Sequence, residues 1–217
     1  FETFRVEVQH GVASVVIDNP PINLFDLKLY SELSRLSSQL RDDDNVRVVV
    51  VESANPEFFI AHFDVSLILH LPTHRPAPTE LNEFHQMCEN FRTMPKPTIS
   101  VIDGRVGGGG SELTLSMDMR FASPSAVFSQ PEVALGIIPG GSGTVRLSRL
   151  LGRSRAMEVI LGCEDIDAHT AYEWGWVNRV VDNPSAHAHA LARRIATFPV
   201  EAVQAAKRSI LRSDDHV

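Results

Sequence analysis

The sequence is poor in cysteine and has no long apolar run. Its two cysteines, Cys88 and Cys163, cannot form a framework of several disulfides, and they suit a reducing compartment. Apolar runs are short, as in the four valines at 48–51, whereas a membrane-spanning helix needs about 20 apolar residues. No secretory signal opens the chain, although it begins at Phe1 and earlier removal of a targeting peptide stays open. We therefore predict a cytoplasmic protein, or one of the mitochondrial matrix, that makes no membrane contact.

Basic residues are in the minority, with 20 lysines and arginines against 27 aspartates and glutamates. The net charge of -7 and the pI of about 5.7 argue against nucleic-acid binding, because binding to a phosphate backbone relies on excess positive charge. No Gly-Lys pair occurs, so the phosphate loop of NTPases is absent. No Cys-x-x-Cys pair occurs either, and we predict no metal site.

Four consecutive glycines at 107–110 are the most informative local feature. A backbone without Cβ atoms lets a ligand approach closely. The dinucleotide-binding fingerprint needs Gly-x-Gly-x-x-Gly or Ala, whereas the run places Glu112 or Leu113 at the last position. Leu113 also stands where the nucleophile elbow of α/β-hydrolases requires glycine after Ser111, so that motif is absent.

Two glutamates follow the glycine run. Glu112 opens a predicted helix at 112–117, and Glu132 comes twenty residues later. Free N–H groups at a helix N-terminus favour developing negative charge, and two carboxyls near such donors can form an acid/base site. In the alternative interpretation the glycines allow tight strand-to-helix packing, Glu112 is a first-turn residue favoured by the helix dipole, and Glu132 lies in a surface loop.

The order of predicted elements indicates an α/β protein. The 217 residues are enough for one domain with a sizeable core. Alternating apolar residues predict a β-hairpin that turns at His10-Gly11, and leucines at helical spacing predict a helix from the Asp26 cap to Leu40. Further strands are predicted at 46–51, 97–102, 119–122 and 126–129. Further helices are predicted at 81–91, 144–151, 154–161, 168–174, 186–197 and 200–211.

Beyond Gly143 the pattern is mostly helical, and we divide the chain into a core domain at 1–182 and a helical C-terminal region at 183–217. A proline-rich stretch at 71–78 is predicted to be a loop. The apolar stretch at 133–138 is predicted to be buried, either as a desolvated surrounding for the preceding glutamate or as an ordinary buried connection.

Several ordered motifs resemble the crotonase, or enoyl-CoA hydratase/isomerase, superfamily. They are NPPINLF at 19–25, FFIAHFD at 58–64, IDGRVGGGGSE at 102–112 and FSQPEVALGIIPGG at 128–141. The resemblance covers nearly the whole chain and implies a crotonase-like fold, in which repeated ββα units form two roughly perpendicular sheets surrounded by helices. It also implies a homotrimer or a dimer of trimers, and by comparison with the family we expect the C-terminal helical region to be truncated or incomplete.

The resemblance implies that the protein binds acyl-CoA thioesters and stabilises a thioester enolate. The backbone N–H groups of Phe63 and Gly109 match the family's two donors to the enolate oxygen. Glu112 and Glu132 match the two glutamates of the hydratases, so we expect Glu132 to be the main proton donor and acceptor. Glu112 is expected to orient and deprotonate the water that adds across the 2,3 double bond. No cofactor is expected beyond the CoA of the substrate. The implied substrate contacts come from Asn23, Leu24, Ala61, His62, Asp64, Gly108 and Gly140.

The segment at 62–63 departs from the family pattern. His62 and Phe63 are bulky where the family carries small residues, which predicts a narrowed or reshaped acyl pocket. Asp64 also qualifies as the cap of a helix predicted at 65–71. The presence of both glutamates favours the hydratase, but a Δ3,Δ2-enoyl-CoA isomerase and other thioester reactions, such as hydrolysis or decarboxylation, stay open. A non-catalytic acyl-CoA-binding or scaffold protein is the alternative of another class.

Overall fold

The computed structural model describes residues 1–68 and 80–214. The predicted loop at 71–78 lies outside these residues. Across the two described ranges, no helix is both long enough and apolar enough to cross a membrane.

The described residues form two β-sheets. The strands are β1 (Phe4–Gln9), β2 (Val12–Ile17), β3 (Val48–Ser53), β4 (Phe58–Ile60), β5 (Thr98–Ile102), β6 (Arg105–Gly107), β7 (Met119–Ala122), β8 (Val127–Ser129), β9 (Ile166–Asp167) and β10 (Arg179–Val180). A six-stranded sheet has the order β1-β2-β3-β5-β7-β10, and a four-stranded sheet has the order β4-β6-β8-β9. Strand β1 is antiparallel to β2 and β9 is antiparallel to β8, whereas the other pairs are parallel.

Helices surround the two sheets. They are α1 (Leu27–Asp42), α2 (Val65–Ile68), α3 (Glu83–Thr93), α4 (Gly109–Leu115), α5 (Gly143–Leu151), α6 (Arg153–Gly162), α7 (Ala168–Trp174), α8 (Pro184–Ala196) and α9 (Val200–Leu211). The chain order therefore repeats a unit of two strands followed by a helix. In the units that begin with β3, β5 and β7, the first strand joins the six-stranded sheet and the second joins the four-stranded sheet.

The N-terminal hairpin and α1 form where the sequence predicts them. The turn between β1 and β2 places His10 and Gly11 at φ values of 51° and 79°, a left-handed conformation that glycine adopts without steric cost. The Asp26 side chain accepts a hydrogen bond from the Leu29 backbone N–H at 2.8 Å and so caps α1. Four leucines at helical spacing in α1 are buried, and burial of each contributes roughly 1.5–3 kcal/mol to stability relative to full exposure. They are Leu29, Leu33, Leu36 and Leu40.

Strand β3 is buried on both faces because the six-stranded sheet is covered on both sides. Val49 and Val51 face the main core between the sheets and α1. Val48 and Val50 face the opposite layer, where alanines of α8 pack against the sheet. Parallel strands covered on both faces are apolar throughout, which explains the run of four valines. Helix α8 thus completes one side of the sheet, and the division of the chain at residue 182 stays a prediction.

Three features differ from what the sequence predicts. The short strands β4, β6, β9 and β10 lie outside the predicted strands, because two or three residues rarely carry enough alternation to be seen. Helix α4 begins at Gly109 rather than at Glu112, so part of the glycine run is helical. The prediction of a buried stretch at 133–138 is wrong, because the Leu135 and Ile138 side chains are 59% and 68% exposed.

Candidate active site

The glycine run forms the connection between β6 and α4. Gly108 has φ 50° and ψ -125°, a conformation that disfavours a side chain, and its N–H donates to the Ser129 carbonyl at 3.1 Å. A Cβ on Gly110 would stand 2.6 Å from the Ile60 Cβ, so the run also allows close packing on β4. The interpretation of the glycine run as a tight packing site is therefore supported.

Glu112 lies on α4 with its carboxyl group turned into the protein. The residue is 4% exposed, and its Oε1 accepts a hydrogen bond of 2.8 Å from the Gly143 backbone N–H. The pKa of Glu112 is raised to about 8, mainly by burial; the Gly143 N–H acts to lower it, and the charge on Glu132 acts to raise it. A carboxyl group with such a pKa is a strong enough base, once ionised, to remove a proton from water.

Glu132 begins the 3-10 helix Glu132–Leu135 and also points inward. It is 9% exposed, and within the described structure its buried Oε2 has no hydrogen-bond partner. Its Oε1 lies 3.1 Å from the point that a Cβ on Gly108 would occupy. Burial raises the pKa of Glu132 above its ordinary value. The surface-loop interpretation of this residue is therefore wrong.

The segment around Phe63 runs beside the start of α4. The Phe25 N–H donates to the His62 carbonyl at 3.0 Å, and the Asp64 N–H donates to the Phe25 carbonyl at 3.1 Å, which makes a parallel bridge between Phe25 and Phe63. Phe63 lies between the two residues that bond to Phe25, so its own N–H and carbonyl point away from the Phe25 segment. The Phe63 side chain packs on α4, with Cβ and Cδ2 at 3.1 and 3.2 Å from the Cβ position of Gly109.

The other predicted contact residues serve the local structure as well. The Asn23 side chain is buried and donates to the Ser53 hydroxyl at 2.7 Å and to the Phe59 carbonyl at 3.0 Å. The side chain is therefore engaged within the protein and fastens the segment at 23–25 to β3 and β4. The Asp64 side chain accepts from the Ser66 N–H at 2.9 Å at the start of α2, as a cap does, while residues 69–71 of the predicted helix lie outside the described residues.

Three further predicted residues differ in their surroundings. Leu24 is half-buried, and its carbonyl accepts from the Asn19 side chain at 3.0 Å. Ala61 is buried and its N–H donates to the Ile22 carbonyl at 3.2 Å. Gly140 is exposed and precedes the turn that leads to the Gly143 N–H. The structure thus gathers the loop segments that hold these residues, and their contacts with a substrate stay predictions.

Two side chains beside the carboxyls were not singled out from the sequence. Gln130 is fully buried, and neither polar atom of its amide has a partner among the described residues. Its Nε2 and the Glu112 Oε1 each lie 2.9 Å from the Cβ position of Gly143. Phe84 on α3 places its ring edge against Gly141 next to the same carboxyl. The position of Gln130 two residues before Glu132 was a usable signal, whereas nothing in the sequence marks Phe84.

No cluster of three or more His, Cys, Asp or Glu side chains suited to a metal ion occurs within residues 1–68 and 80–214. The structure brings the carboxyls of Glu112 and Glu132 close enough for the charge of one to raise the pKa of the other. One carboxyl accepts a backbone hydrogen bond, the other keeps an unpartnered buried oxygen, and both have raised pKa values. Such a pair can take a proton from one atom and give one to another.

The comparisons with known proteins agree with this arrangement. The family model for enoyl-CoA hydratase/isomerase matches residues 7–215. The chain is 33% identical over 215 residues to the short-chain-enoyl-CoA hydratase of Clostridium acetobutylicum, which covers 95% of this chain and 80% of the relative. It is 35% identical over 205 residues to a protein of Arabidopsis thaliana named probable enoyl-CoA hydratase 2, mitochondrial, which covers 92% of this chain and 67% of the relative.

A solved structure extends the likeness to three dimensions. The enoyl-CoA hydratase from Bacillus anthracis superposes with a TM-score of 0.86 at 30% identity, which covers 96% of this chain and 82% of that one. The predicted crotonase-like fold, with two sheets surrounded by helices, is therefore confirmed. The chain belongs to the enoyl-CoA hydratase/isomerase family.

Proposed function

We propose that the protein is an enoyl-CoA hydratase, which adds water across the 2,3 double bond of an enoyl-CoA thioester. The observation that carries this proposal is the burial of Glu112 and Glu132 at the start of α4, with the pKa of each carboxyl raised. One carboxyl is enough to move a proton between two carbons. Two are needed to take a proton from water while another is delivered to carbon, and both are present.

The Phe63 and Gly109 N–H groups would hold the thioester oxygen as it becomes an enolate. Two observations support this role. The bridge with Phe25 turns the Phe63 N–H away from that strand, and Gly109 is the first residue of α4, where N–H groups have no helical acceptor. A pair of such donors stabilises developing charge, and loss of one typically lowers the rate about 100- to 1,000-fold.

The proton transfers then balance over the pair of carboxyls. Ionised Glu112 takes a proton from water, and the hydroxyl oxygen bonds to C3 of the substrate. The electrons of the double bond move toward C2 and the thioester oxygen, and protonated Glu132 gives its proton to C2. The proton left on Glu112 replaces the one that Glu132 gave, so the total charge of the coupled pair is unchanged.

The substrate contacts are proposed from the segments that surround the two carboxyls. Asn23, Leu24, Ala61, His62 and Asp64 lie on two segments that pair through Phe25, and both segments run close to β6 and α4. Gly108 lies beside the Glu132 carboxyl, and Gly140 precedes Gly141, which lies beside the Glu112 carboxyl. We propose that these segments bind the thioester and its CoA, and that no cofactor is needed beyond the CoA of the substrate.

The assembly and the compartment are further proposals. We propose a homotrimer or a dimer of trimers, which the exposed apolar side chains near the site support. These side chains are Leu135, Ile138, Met157 and Leu161. Sedimentation of the purified protein would give the mass of the assembly. A cytoplasmic location, or the mitochondrial matrix, stays a prediction.

Incubation with crotonyl-CoA tests the reaction directly, since water addition removes the conjugated thioester absorbance. We expect Glu112→Gln to lower this hydration about 100- to 10,000-fold, because the amide keeps an acceptor for the Gly143 N–H but cannot take a proton. A Δ3,Δ2-isomerase would instead convert a 3-enoyl-CoA, and the same substitution would affect it much less. Intact CoA binding without turnover at any chain length would favour a non-catalytic protein.

A further inference from the structure

Four aromatic side chains form a cluster between α1, α3 and the segment before α2. We refer to Phe25, Tyr30, Phe63 and Phe84 as the aromatic cluster. The Phe84 ring centroid lies 5.6 Å from that of Phe25, 6.0 Å from that of Phe63 and 6.2 Å from that of Tyr30. Such distances are typical of packed aromatic pairs, so the four rings support one another as a continuous surface.

The aromatic cluster borders both parts of the proposed reaction site. Phe63 packs on Gly109, the residue proposed to donate to the thioester oxygen. A Cβ on Gly141 would stand 2.4 Å from the Phe84 Cε1 and 2.3 Å from the Glu112 Oε2. The Phe84 ring edge and the Glu112 carboxyl are therefore immediate neighbours. Phe25 behind them is fully buried, whereas Phe63 and Phe84 keep part of their surface accessible.

The position of the cluster is fixed from three elements. Phe25 is held by the bridge to Phe63, and the Tyr30 hydroxyl on α1 donates to the Glu83 carboxylate on α3 at 3.2 Å. Phe84 follows Glu83 directly and packs on Phe25 and Tyr30. Moving the Phe84 ring would therefore disturb contacts with both other elements, which makes it a firm boundary.

We propose that the aromatic cluster is the end wall of the acyl site and that Phe84 limits the length of the acyl chain. This proposal rests on the proposed function. With the thioester oxygen at Phe63 and Gly109 and C3 beside Glu112, the carbons beyond C3 continue past the carboxyl that Phe84 borders. A four-carbon chain ends there, whereas an eight-carbon chain has to displace the ring. Phe84 is thus a specificity-determining residue, and the substrates are short-chain enoyl-CoA thioesters.

If Phe84 ends the acyl site, removal of its ring should change the preference of the protein for acyl-chain length. The experiment measures kcat/KM for 2-enoyl-CoA substrates of four, six, eight and ten carbons, for the natural protein and for Phe84→Ala. We expect the natural protein to prefer four carbons over eight by at least about 10-fold, and Phe84→Ala to reduce that preference by about 10-fold or more. Phe84→Leu, which fills most of the space, should change it less and covers the case in which the alanine variant does not fold.

Phe198→Ala serves as the control, because it removes a partly exposed ring between α8 and α9 that is not part of the aromatic cluster. It should leave the chain-length preference unchanged. Equal use of four and eight carbons by the natural protein overturns the wall, and so does a uniform change at all lengths in both Phe84 variants.

Calorimetric binding of saturated butyryl-CoA and octanoyl-CoA separates the wall from the reaction. A preference for butyryl-CoA over octanoyl-CoA that Phe84→Ala abolishes and Phe84→Leu reduces supports the wall even if no substrate is hydrated, and in that case only the proposed hydration fails. Hydration of crotonyl-CoA together with tighter octanoyl-CoA binding leaves the proposed function standing and overturns the wall.

Discussion

Glu32 and Glu132 are both buried to nearly the same extent, but their pKa values are shifted in opposite directions. Glu32 on α1 is 8% exposed, and its carboxylate accepts hydrogen bonds from the Thr3 N–H at 3.0 Å, the Thr3 hydroxyl at 2.7 Å and the Glu2 N–H. Burial acts to raise its pKa, but these donors outweigh burial and lower the pKa to about 2. Glu132 has an unpartnered oxygen, and there burial raises the pKa.

The comparison shows that donors, rather than burial alone, decide what a buried carboxyl does. A carboxylate that accepts several hydrogen bonds is stabilised in its charged form and fastens two segments together. A carboxyl that lacks those bonds is kept basic and its oxygen stays available to a substrate. Such incomplete satisfaction costs stability, and it occurs here where the proposed chemistry needs it.

The largest expected effect is the loss of hydration in Glu132→Gln. The amide cannot give a proton to C2, so we expect the rate with crotonyl-CoA to fall about 100- to 10,000-fold. Because the Oε2 has no partner to lose, the thermal unfolding midpoint should stay the same or rise. Glu32→Gln is the matched control, because Glu32 is equally buried and this variant should hydrate crotonyl-CoA at the unchanged rate. A fully active Glu132→Gln would contradict the proposed role.

The pH dependence of hydration should report the second carboxyl of the site. Glu112 must be ionised to take a proton from water, and burial raises its pKa to about 8. The proposed step also needs a proton on Glu132, and the negative charge of Glu132 contributes to the raised pKa of Glu112. We therefore expect kcat/KM to fall about tenfold per pH unit above pH 8, where the pair loses the proton that its two carboxyls share. A rate that stays constant from about pH 7 to pH 10 would show that this shared proton is not required.

Substitution of Glu32 should lower the stability of the folded protein. We expect Glu32→Gln to lower the free energy of unfolding by about 2 kcal/mol at pH 7, as for a lost set of hydrogen bonds to a charged group. The folded-state pKa of Glu32 is lowered from 4.5 to about 2, so its stabilisation is present above pH 4.5 and is lost as the pH falls through this range. Urea unfolding at pH 7 and near pH 2 measures both values.

Glu201→Gln is the control for this substitution, because Glu201 is exposed on α9. It should change the free energy of unfolding by less than about 0.5 kcal/mol at either pH. If Glu32→Gln is no more destabilising than this control, the hydrogen bonds to Thr3 do not stabilise the fold.

The sequence predicts the structural features around Glu32 and Glu132 that depend on local pattern. The leucine spacing around Glu32 predicts α1, and the motifs around Glu132 predict the family. The partners of each carboxyl could not be predicted, because Thr3 lies 29 residues from Glu32 and Gly143 lies 31 residues from Glu112. The prediction of burial at 133–138 failed for a related reason, since an apolar run does not specify which of its side chains meet the core.

The smallest expected effect concerns His62, which lies beside the proposed oxyanion donor. Its Nδ1 is 2.8 Å from the Phe63 carbonyl, and a carbonyl can only accept, so the Nδ1 carries the proton. We infer that this bond steadies the Phe63 segment from the side opposite Phe25. His62→Leu removes the bond and should lower kcat about 2- to 10-fold, the value of one hydrogen bond.

Two further variants distinguish that bond from the bulk of the ring. Asparagine places its amide nitrogen near the Nδ1 position, whereas glutamine places its amide nitrogen nearer the Nε2 position. We expect His62→Asn to retain most of the kcat and His62→Gln to resemble His62→Leu, as measured with crotonyl-CoA at saturation. Equal rescue by the two amides would mean that the ring contributes volume rather than a donor. A change in KM alone would fit its expected role as a substrate contact and would contradict its support of Phe63.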